Sequence, residues 1–509
     1  MPAFRFTTLR PGLALWAVVS AVRPDSLTLA LPGGLSGKVP LAEASDTLAE
    51  AAERAAAAAA AAEGKGEDDA MEEGAGDEEA EEGGAARSSL QSLFSLGQRV
   101  AAVVIKVTTG DEAPEAGEEG GEGASGGRGG PRRPRKGVLL SLRPARVMHA
   151  FPASALAAGQ ALVAEVRSVE DHGAVMSVGV AGVAAFLRNE DYAPAAGGAD
   201  GASAAAPPPL TPGRLLVCNV RTLASAGSKR KTLTLACRGR EATETQLKEA
   251  PGLTLDALLP GQLVSAKITA VLGDGLRVAF LTYFTGSIDH FHLADSAPGP
   301  DWAKKYAVAQ RVMARVLYVD AATKHVGLTL RPHLVSGGPP PLATVGAKVD
   351  GAIVRRVDPK VGLLIELPPG EATGGRPGVC GLAHVSNLSD ERLDKIEKHF
   401  KVGSVVRCRV IGQRPLEGLS SLSLKPSVLA REIFSVADLK PGALVNAVIA
   451  AVEHFGAIVE LGGAGGPRAL CPTAHLHESL AAAAAAAMAT GKKARLAKLR
   501  VGQAVKVRG

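Results

Sequence analysis

The sequence is poor in residue types that build catalytic sites and covalent frameworks. Aromatic residues make up 3% of the 509 residues, and the five cysteines stand singly without a CxxC pair. A dispersed, odd set of cysteines argues against a disulfide framework and is typical of a reducing compartment. Cys471, His475 and His477 form one small group of metal-ligating types, but no second group completes four ligands. We therefore expect no metal and no cofactor.

The short motifs of common enzymes are also missing. The sequence has no GxxxxGK[ST] phosphate loop, no HExxH, no GxSxG outside the low-complexity insert 109–136, and no GxGxxG between a strand and a helix. Acidic residues are densest in low-complexity inserts, where no site could be preorganised. We expect a binding protein and not an enzyme.

No stretch reaches the roughly 18 uncharged apolar residues of a membrane helix, apart from Ala-rich ones of low hydrophobicity. Arg5 and Arg10, followed by the apolar run 13–22, imitate a secretory signal. The same phrase recurs at 260–271 and 441–452, which identifies it as a strand preceded by a turn. We expect a protein that is neither secreted nor bound to a membrane.

Excess negative charge is concentrated in two segments. The formal net charge is +6, but residues 63–82 carry −10 and residues 110–122 carry −6, so the rest of the chain carries +22. A basic body of this size suits a polyanionic partner such as RNA. The alternative is a basic surface that is merely solvated.

Most of the sequence consists of internal repeats. A Gly-led strand, a short turn and a second alternating strand recur at 11–34, 158–180, 260–281, 345–367 and 441–463. A third strand follows each copy, and a second phrase then begins with another strand, at 96–107, 212–223, 309–320, 402–413 and 501–509. The first four copies close on a short strand, at 139–144, 233–238, 328–333 and 422–427.

Five short alternating strands per copy predict an all-β chain of tandem OB-fold barrels, arranged as beads on a string. The predicted domains are 10–145, 157–240, 256–334, 343–427 and 438–509. The fifth copy stops inside its fourth strand, which predicts a fragment or a truncated gene model because an unpaired barrel edge is a hazard.

Three Ala-, Gly- or Glu-rich inserts interrupt the copies, at 49–89, 109–136 and 193–211. They cannot bury enough apolar area to fold, so we expect disorder, with a short Ala helix at the start of the first insert.

The phrases VEHFGAIVEL, GLAHVSNLSD and VGSVVRCRVI…LSLK resemble the S1 RNA-binding domain of ribosomal protein S1. Copy three (LLPGQLVSAKITAVLGDGLRVAFLTYFTGSIDHFHL…VLYVDAATKHVGLTLRPHLV) and the opening LALWAVVSAV resemble the eukaryotic family of ribosomal RNA processing protein five. That resemblance implies a nucleolar factor that binds pre-rRNA during assembly of both ribosomal subunits. It also implies small nucleolar RNA and other pre-ribosome assembly factors as partners. The family's C-terminal helical repeats have no counterpart in these 509 residues.

The resemblance also indicates binding residues, since S1 domains bind with an F-G-x-F pattern and a His after the third-strand Gly. Copy five keeps Phe455 beside Gly456 but has Ile458 at the second aromatic place. The expected His is present in copy four alone. The predicted RNA-binding residues are Phe455, His384, His172, Tyr283, Phe284, His290, Phe291, His292 and Lys324.

Aromatic side chains also have structural interpretations. Trp16 is expected in a core, as are one or two of Phe280, Phe284 and Phe291. Two functional alternatives remain open at this point. One is a translation factor of the bacterial or plastid ribosomal S1 type, and the other is a scaffold whose barrels dock assembly factors.

Overall fold

The computed structural model describes two compact units. One comprises Met1–Pro340 with Arg414–Gly418, and the other Pro341–Gln413 with Leu419–Gly509. The described residues are 4–63, 90–108, 137–193, 209–225, 231–238, 245–249, 253–294, 299, 301–391, 395–431, 433–435, 438–440, 442–453, 455–463, 466–472, 475 and 500–508. The disorder predicted for the inserts therefore falls mostly outside the described residues. Among the helices described, none has the length and apolar character that a bilayer crossing needs.

Unit 1 contains three five-stranded sets. Set one comprises β1 (Ala14–Val22), β2 (Ser26–Leu31), β3 (Leu35–Pro40), β4 (Arg99–Thr108) and β5 (Gly137–Ser141). Set two comprises β6 (Ala161–Glu170), β7 (Gly173–Ser177), β8 (Val183–Ala193), β9 (Leu215–Ser225) and β10 (Lys231–Arg238). Set three comprises β11 (Leu263–Leu272), β12 (Gly275–Phe280), β13 (Phe284–Asp289), β14 (Arg311–Asp320) and β15 (His325–Thr329).

Unit 2 contains a fourth set and a smaller sheet. Set four comprises β16 (Lys348–Asp358), β17 (Gly362–Glu366), β18 (Cys380–His384), β19 (Val405–Arg414) and β20 (Leu419–Ser423). The described part of the fifth copy is an open sheet of four strands, β21 (Leu444–Glu453), β22 (Gly456–Leu461), β23 (Arg468–Pro472) and β24 (Ala504–Arg508).

The α-helices are few and most are short. They are α1 (Asp46–Glu63), α2 (Leu90–Leu93), α3 (Pro144–Val147), α4 (Pro332–Val335), α5 (Ile396–His399) and α6 (Pro426–Ala430). Helices α3, α4 and α6 each follow a closing strand and begin at a proline, which has no N–H to leave unpaired at a helix start.

Sets one to four are closed barrels with one shared topology, and they are called barrels one to four from here on. The first three strands form an antiparallel meander, the fourth strand pairs with the first, and the fifth pairs in parallel with the third. Inward-facing Val, Leu and Ile side chains fill each barrel. The predicted all-β fold of OB-type barrels is confirmed.

Glycine at the start of the second strand is a steric requirement. Gly275, Gly362 and Gly456 have φ angles of 152°, 133° and 155°. A Cβ at these positions would lie 2.1, 2.0 and 2.2 Å from a carbonyl oxygen of the third strand. This close approach explains why the turn between the first two strands ends in glycine in these copies.

The residue two positions before the fourth strand adopts a left-handed conformation. Gly97, Gly213, Gly403 and Gly502 have φ angles between 81° and 88°. Barrel three has Ala309 at this place, with φ of 73°. An L-residue with a side chain is strained in this region, so Ala309 is held there by the surrounding barrel.

Unit 1 departs from independent beads on a string, because barrel one pairs directly with barrel three. Ala14 and Leu15 on β1 lie opposite Val319 and Tyr318 on β14 in antiparallel register. Barrels one and three therefore share one continuous sheet, although barrel two lies between them in the sequence.

An arginine–aromatic contact reinforces that pairing. Arg315 on β14 donates to the carbonyl oxygens of Gly261 (2.6 Å) and Val335 (2.8 Å). Its guanidinium lies 5.4 Å from the ring of Trp16 on β1, which is buried as predicted. In barrel four Arg409 makes the matching bond to Gly346 (2.9 Å).

The start of the first insert is ordered and docks on barrel two. The predicted helix is α1, and the wholly buried Glu165 accepts hydrogen bonds from the N–H groups of Asp46 and Thr47, both 2.8 Å. A carboxylate at a helix N-terminus satisfies unpaired donors and the helix dipole. Arg167 on β6 forms an ion pair at 2.6 Å with Glu50, which lies on α1.

Candidate nucleic-acid interface

The predicted binding residues are distributed over four copies. His172 and Phe455 each precede the glycine that opens a second strand, and both are exposed, Phe455 to 42%. His384 lies opposite Gly362 at the end of β18 and is exposed. These positions are the rim formed by the first hairpin turn, a rim that OB folds use for binding. They belong to three different copies and do not form one site.

His384 has a local structural contact as well. Its Nδ1 accepts a hydrogen bond from the Ser386 backbone N–H at 3.2 Å and lies 2.8 Å from the Ser386 hydroxyl. This capping contact orients the ring at the rim.

Two predicted residues of barrel three are not accessible to RNA. His290 and His292 are only 7% and 4% exposed. His292 Nδ1 lies 3.2 Å from the Thr329 hydroxyl, and burial lowers the pKa of His292 to about 3. Their assignment to an RNA-facing surface on the third strand is wrong, because β13 ends at Asp289 and the chain then turns inward into a 3₁₀ helix.

The aromatic residues of barrel three divide between core and surface. Phe280 is buried, and Phe284 stacks on it with ring centroids 5.7 Å apart. Phe291 is half-buried against His290, at 3.8 Å between ring centroids. Tyr283 is 88% exposed on the turn before β13, so it is the ring of this group that stands free to stack on a base.

A cleft of about 780 Å³ lies on the outer face of barrel three. Its size falls within the roughly 300–1,000 Å³ of ligand pockets. Arg277 on β12 lies opposite Ser287 on β13, and Ser287 lies opposite Gly327 on β15. The second and third strands and the turn between the last two strands are where OB folds hold oligonucleotides. The cleft therefore occupies the expected binding face.

The predicted residue Lys324 lines this cleft from the turn between β14 and β15. Its φ angle is 54°, a left-handed conformation that is uncommon for a residue with a side chain. The carboxylate of Asp320 accepts bonds from the N–H groups of Ala322 (3.1 Å) and Thr323 (3.3 Å), which holds the turn. Backbone strain of this kind is concentrated at functional sites.

Polar groups at the cleft floor form a connected chain. His325 Nε2 lies 2.9 Å from the Ser287 hydroxyl, and its Nδ1 lies 3.3 Å from the Tyr318 hydroxyl. Burial lowers the pKa of His325 and raises the pKa of Tyr318 to about 12. The floor is therefore neutral at neutral pH and offers hydrogen-bonding groups and ring faces, while exposed Arg277 and Lys324 supply positive charge.

Sequence reasoning missed Arg277, Ser287, Tyr318 and His325. The signal for Arg277 was present, since the alternation in LRVAF places it on the outer face of β12. The other residues could not be assigned without knowing which strands pair.

Metal binding has no geometric support in the described residues, where no cluster of three or more His, Cys, Asp or Glu side chains could hold an ion. Cys471 lies at the end of β23 with its Sγ 3.8 Å from the carbonyl oxygen of His475. His477 lies outside the described residues.

Comparisons with known proteins show which proteins this chain is similar to. The family model "RRP5 OB-fold domain" matches residues 338–434. The rRNA biogenesis protein RRP5 of Arabidopsis thaliana is 31% identical over 92% of this chain and 21% of its own length. The RRP5 homologue of Mus musculus is 29% identical over 92% and 22%. The small ribosomal subunit protein bS1 of Helicobacter pylori is 23% identical over 30% of this chain. The chain spans about a fifth of the length of these RRP5 relatives, and the matches identify it as an RRP5-like protein.

Proposed function

We propose that this chain binds pre-rRNA through its tandem OB barrels and acts as a ribosome biogenesis factor without catalytic activity of its own. The observation that carries the proposal is the cleft of barrel three, where exposed cations and aromatic rings lie on the face that OB folds use for oligonucleotides. The Arabidopsis thaliana and Schizosaccharomyces pombe relatives, which are named rRNA biogenesis proteins, support the same assignment.

The proposed site of action is the nucleolus, in assembly of the small and large subunits. Pre-rRNA, small nucleolar RNA and other assembly factors are the proposed partners. The match to bacterial S1 covers 30% of the chain against 92% for RRP5, which favours this role over that of a translation factor.

The test is a salt titration of RNA binding by the intact chain. With a body charge of +22, phosphate contacts should dominate affinity. About six contacts to a single strand imply a slope of roughly −4 for log K against log salt.

Deletion of residues 63–82 is the second arm of the titration. The deletion should raise affinity, because it removes a net charge of −10 that competes for the basic faces. A slope shallower than about −1 with no gain from the deletion would favour the protein-scaffold alternative. Even staining of cytoplasm and nucleus by the tagged chain would contradict the nucleolar assignment.

A further inference from the structure

The cleft of barrel three has a second wall that comes from barrel one. Phe4, Thr7, Thr8 and Arg10, which precede β1, line it together with Leu13. The Phe4 ring lies 4.8 Å from the ring of Tyr318 between centroids. The pairing of β1 with β14 brings this segment across the face of barrel three.

Three cations from two barrels line this one cleft. Arg10 comes from the segment before barrel one, and Arg277 and Lys324 come from barrel three. All three are exposed, and within the described chain none of them forms an ion pair with a carboxylate. Three positive charges around one cleft that has a single lining acid, Asp320, attract an anion of matching size.

The carboxylate of Asp320 also lines the cleft and offsets one of the three positive charges, which leaves a net charge of +2 among these side chains. Its Oδ2 accepts the hydroxyl hydrogen of Thr323 at 2.6 Å, and its Oδ1 accepts the two backbone N–H groups of the turn. These bonds direct the carboxylate to the turn. The acid therefore shapes the loop that carries Lys324.

The other lining groups match the remaining parts of a nucleotide. Phe4, Tyr318 and His325 supply ring faces, and Thr7, Thr285 and Thr323 supply hydroxyl groups. Aromatic faces with nearby cations and hydroxyls suit a base and a sugar–phosphate better than they suit an extended acidic peptide.

We propose that this cleft is a single RNA site shared by barrels one and three, so that a bound strand passes from barrel one directly to barrel three and bypasses barrel two. The inference rests on the proposed function, since it names where and how the RNA binds. Arg10, Arg277 and Lys324 contact consecutive phosphates of the strand, and the aromatic wall holds a base.

The test measures binding of a fluorescent 12-nucleotide oligouridine to the full chain and to five single variants. Arg10→Ala, Arg277→Ala and Lys324→Ala should each weaken binding about ten-fold, the loss expected from one charge-assisted contact. Arg5→Ala and Lys304→Ala remove one exposed cation each outside the cleft, and they should change affinity less than about two-fold.

Each other outcome has a distinct meaning. If Arg277→Ala and Lys324→Ala weaken binding but Arg10→Ala matches Arg5→Ala, the site belongs to barrel three alone and the shared site is overturned. Equal effects of all five variants, with binding intact, would overturn the cleft while leaving RNA binding standing. A wild-type chain that binds no oligouridine would overturn the proposed function as well.

Two further readouts separate the possible occupants. Photocrosslinking with 4-thiouridine in the same oligomer should label residues 4–13 and 318–325 together, and label on one segment alone would contradict sharing. A polyglutamate peptide is the competing probe. If the three cleft variants weaken polyglutamate binding and leave oligouridine binding unchanged, the cleft is a protein site and the proposal is wrong.

Discussion

Barrels three and four have the same topology, but their positively charged side chains differ in whether they form ion pairs with carboxylates. In barrel four Arg407 pairs with Asp350, and Arg355 pairs with Glu366 at 2.5 Å. At the register position of the Asp350–Arg407 pair, barrel three has Ser265 opposite Met313. Cations paired with carboxylates contribute less positive potential toward phosphates, so we expect barrels of equal fold to differ in RNA affinity.

The two barrels also differ where the third strand turns into the barrel. His292 in barrel three and Asn387 in barrel four each accept, through the backbone carbonyl, the N–H of the residue after the closing strand, Leu330 and Leu424. Both side chains therefore follow the same backbone path. The imidazole titrates and the amide does not, so the two barrels respond differently to acid.

The largest expected effect comes from reversing the charge of the cleft. Arg277→Glu combined with Lys324→Glu should lower RNA affinity at least about 100-fold, because two charge-assisted contacts are lost and repulsion replaces them. Electrophoretic mobility shift with an unstructured RNA measures this. The control is Arg355→Glu with Arg407→Glu in barrel four, expected to cost about five-fold or less. Equal losses from both pairs would break the comparison.

Acid should destabilise barrel three selectively. The pKa of His292 is about 3 in the folded state and about 6.5 when unfolded, so the unfolded state binds the proton more readily. Its stabilising contribution is complete above pH 6.5 and is lost as the pH falls, by about 2 kcal/mol at pH 5.

Hydrogen exchange of β12 to β15 at pH 7.5 and pH 5 measures this loss. His292→Asn, which copies barrel four, should remove about half of the pH dependence, because burial also lowers the pKa of His333 in α4, to about 4. The exposed-residue control His172→Gln should leave the pH dependence unchanged. If barrel three keeps the same protection at both pH values, His292 is not the acid-sensitive group.

The left-handed conformation of Ala309 predicts two smaller changes in stability, which have opposite signs in barrels three and four. Ala309→Gly should stabilise barrel three by about 1 kcal/mol, because glycine adopts a φ of 73° without steric cost. Gly403→Ala, at the equivalent place in barrel four, should destabilise that barrel by about 1–2 kcal/mol. A Cβ there meets no atom within 4 Å, so the effect is conformational. Chemical denaturation measures both changes, and a loss of stability in Ala309→Gly would contradict the interpretation.

The smallest effect would come from freeing the arginines of barrel four. Asp350→Asn with Glu366→Gln removes the partners of Arg407 and Arg355, and RNA affinity should rise about two- to five-fold. Fluorescence anisotropy at low salt resolves such a change. Affinity that stays constant would show that ion pairing is not what distinguishes the two barrels.

The resemblance to S1 domains predicted that Phe455, at the rim of the fifth copy, binds RNA, and the loss of RNA affinity on its removal tests that prediction. Phe455→Ala should cost about 1–3 kcal/mol locally, the usual contribution of one stacked base. Linked barrels keep the strand at high effective concentration, so the intact chain should show less than this loss.

The sequence alone determined the type and number of strands, because alternation and turn glycines are local signals. Gly275, Gly362 and Gly456 marked the start of the second strand in copies three, four and five, and the closing phrases LTLRPH and LSLKPS marked the last strand of copies three and four. A helix at the start of the first insert was also predicted from the alanine run, although α1 begins earlier, at Asp46.

Only the tertiary structure decided which side chains meet. Arg10 and Lys324 lie more than 300 positions apart in the sequence, and they share a cleft because β1 pairs with β14. The burial of His290 and His292 likewise depends on the path of the chain after β13, and not on their residue type. Local patterns report periodicity and turns, whereas pairing between barrels depends on long-range contacts that leave no periodic trace in the chain.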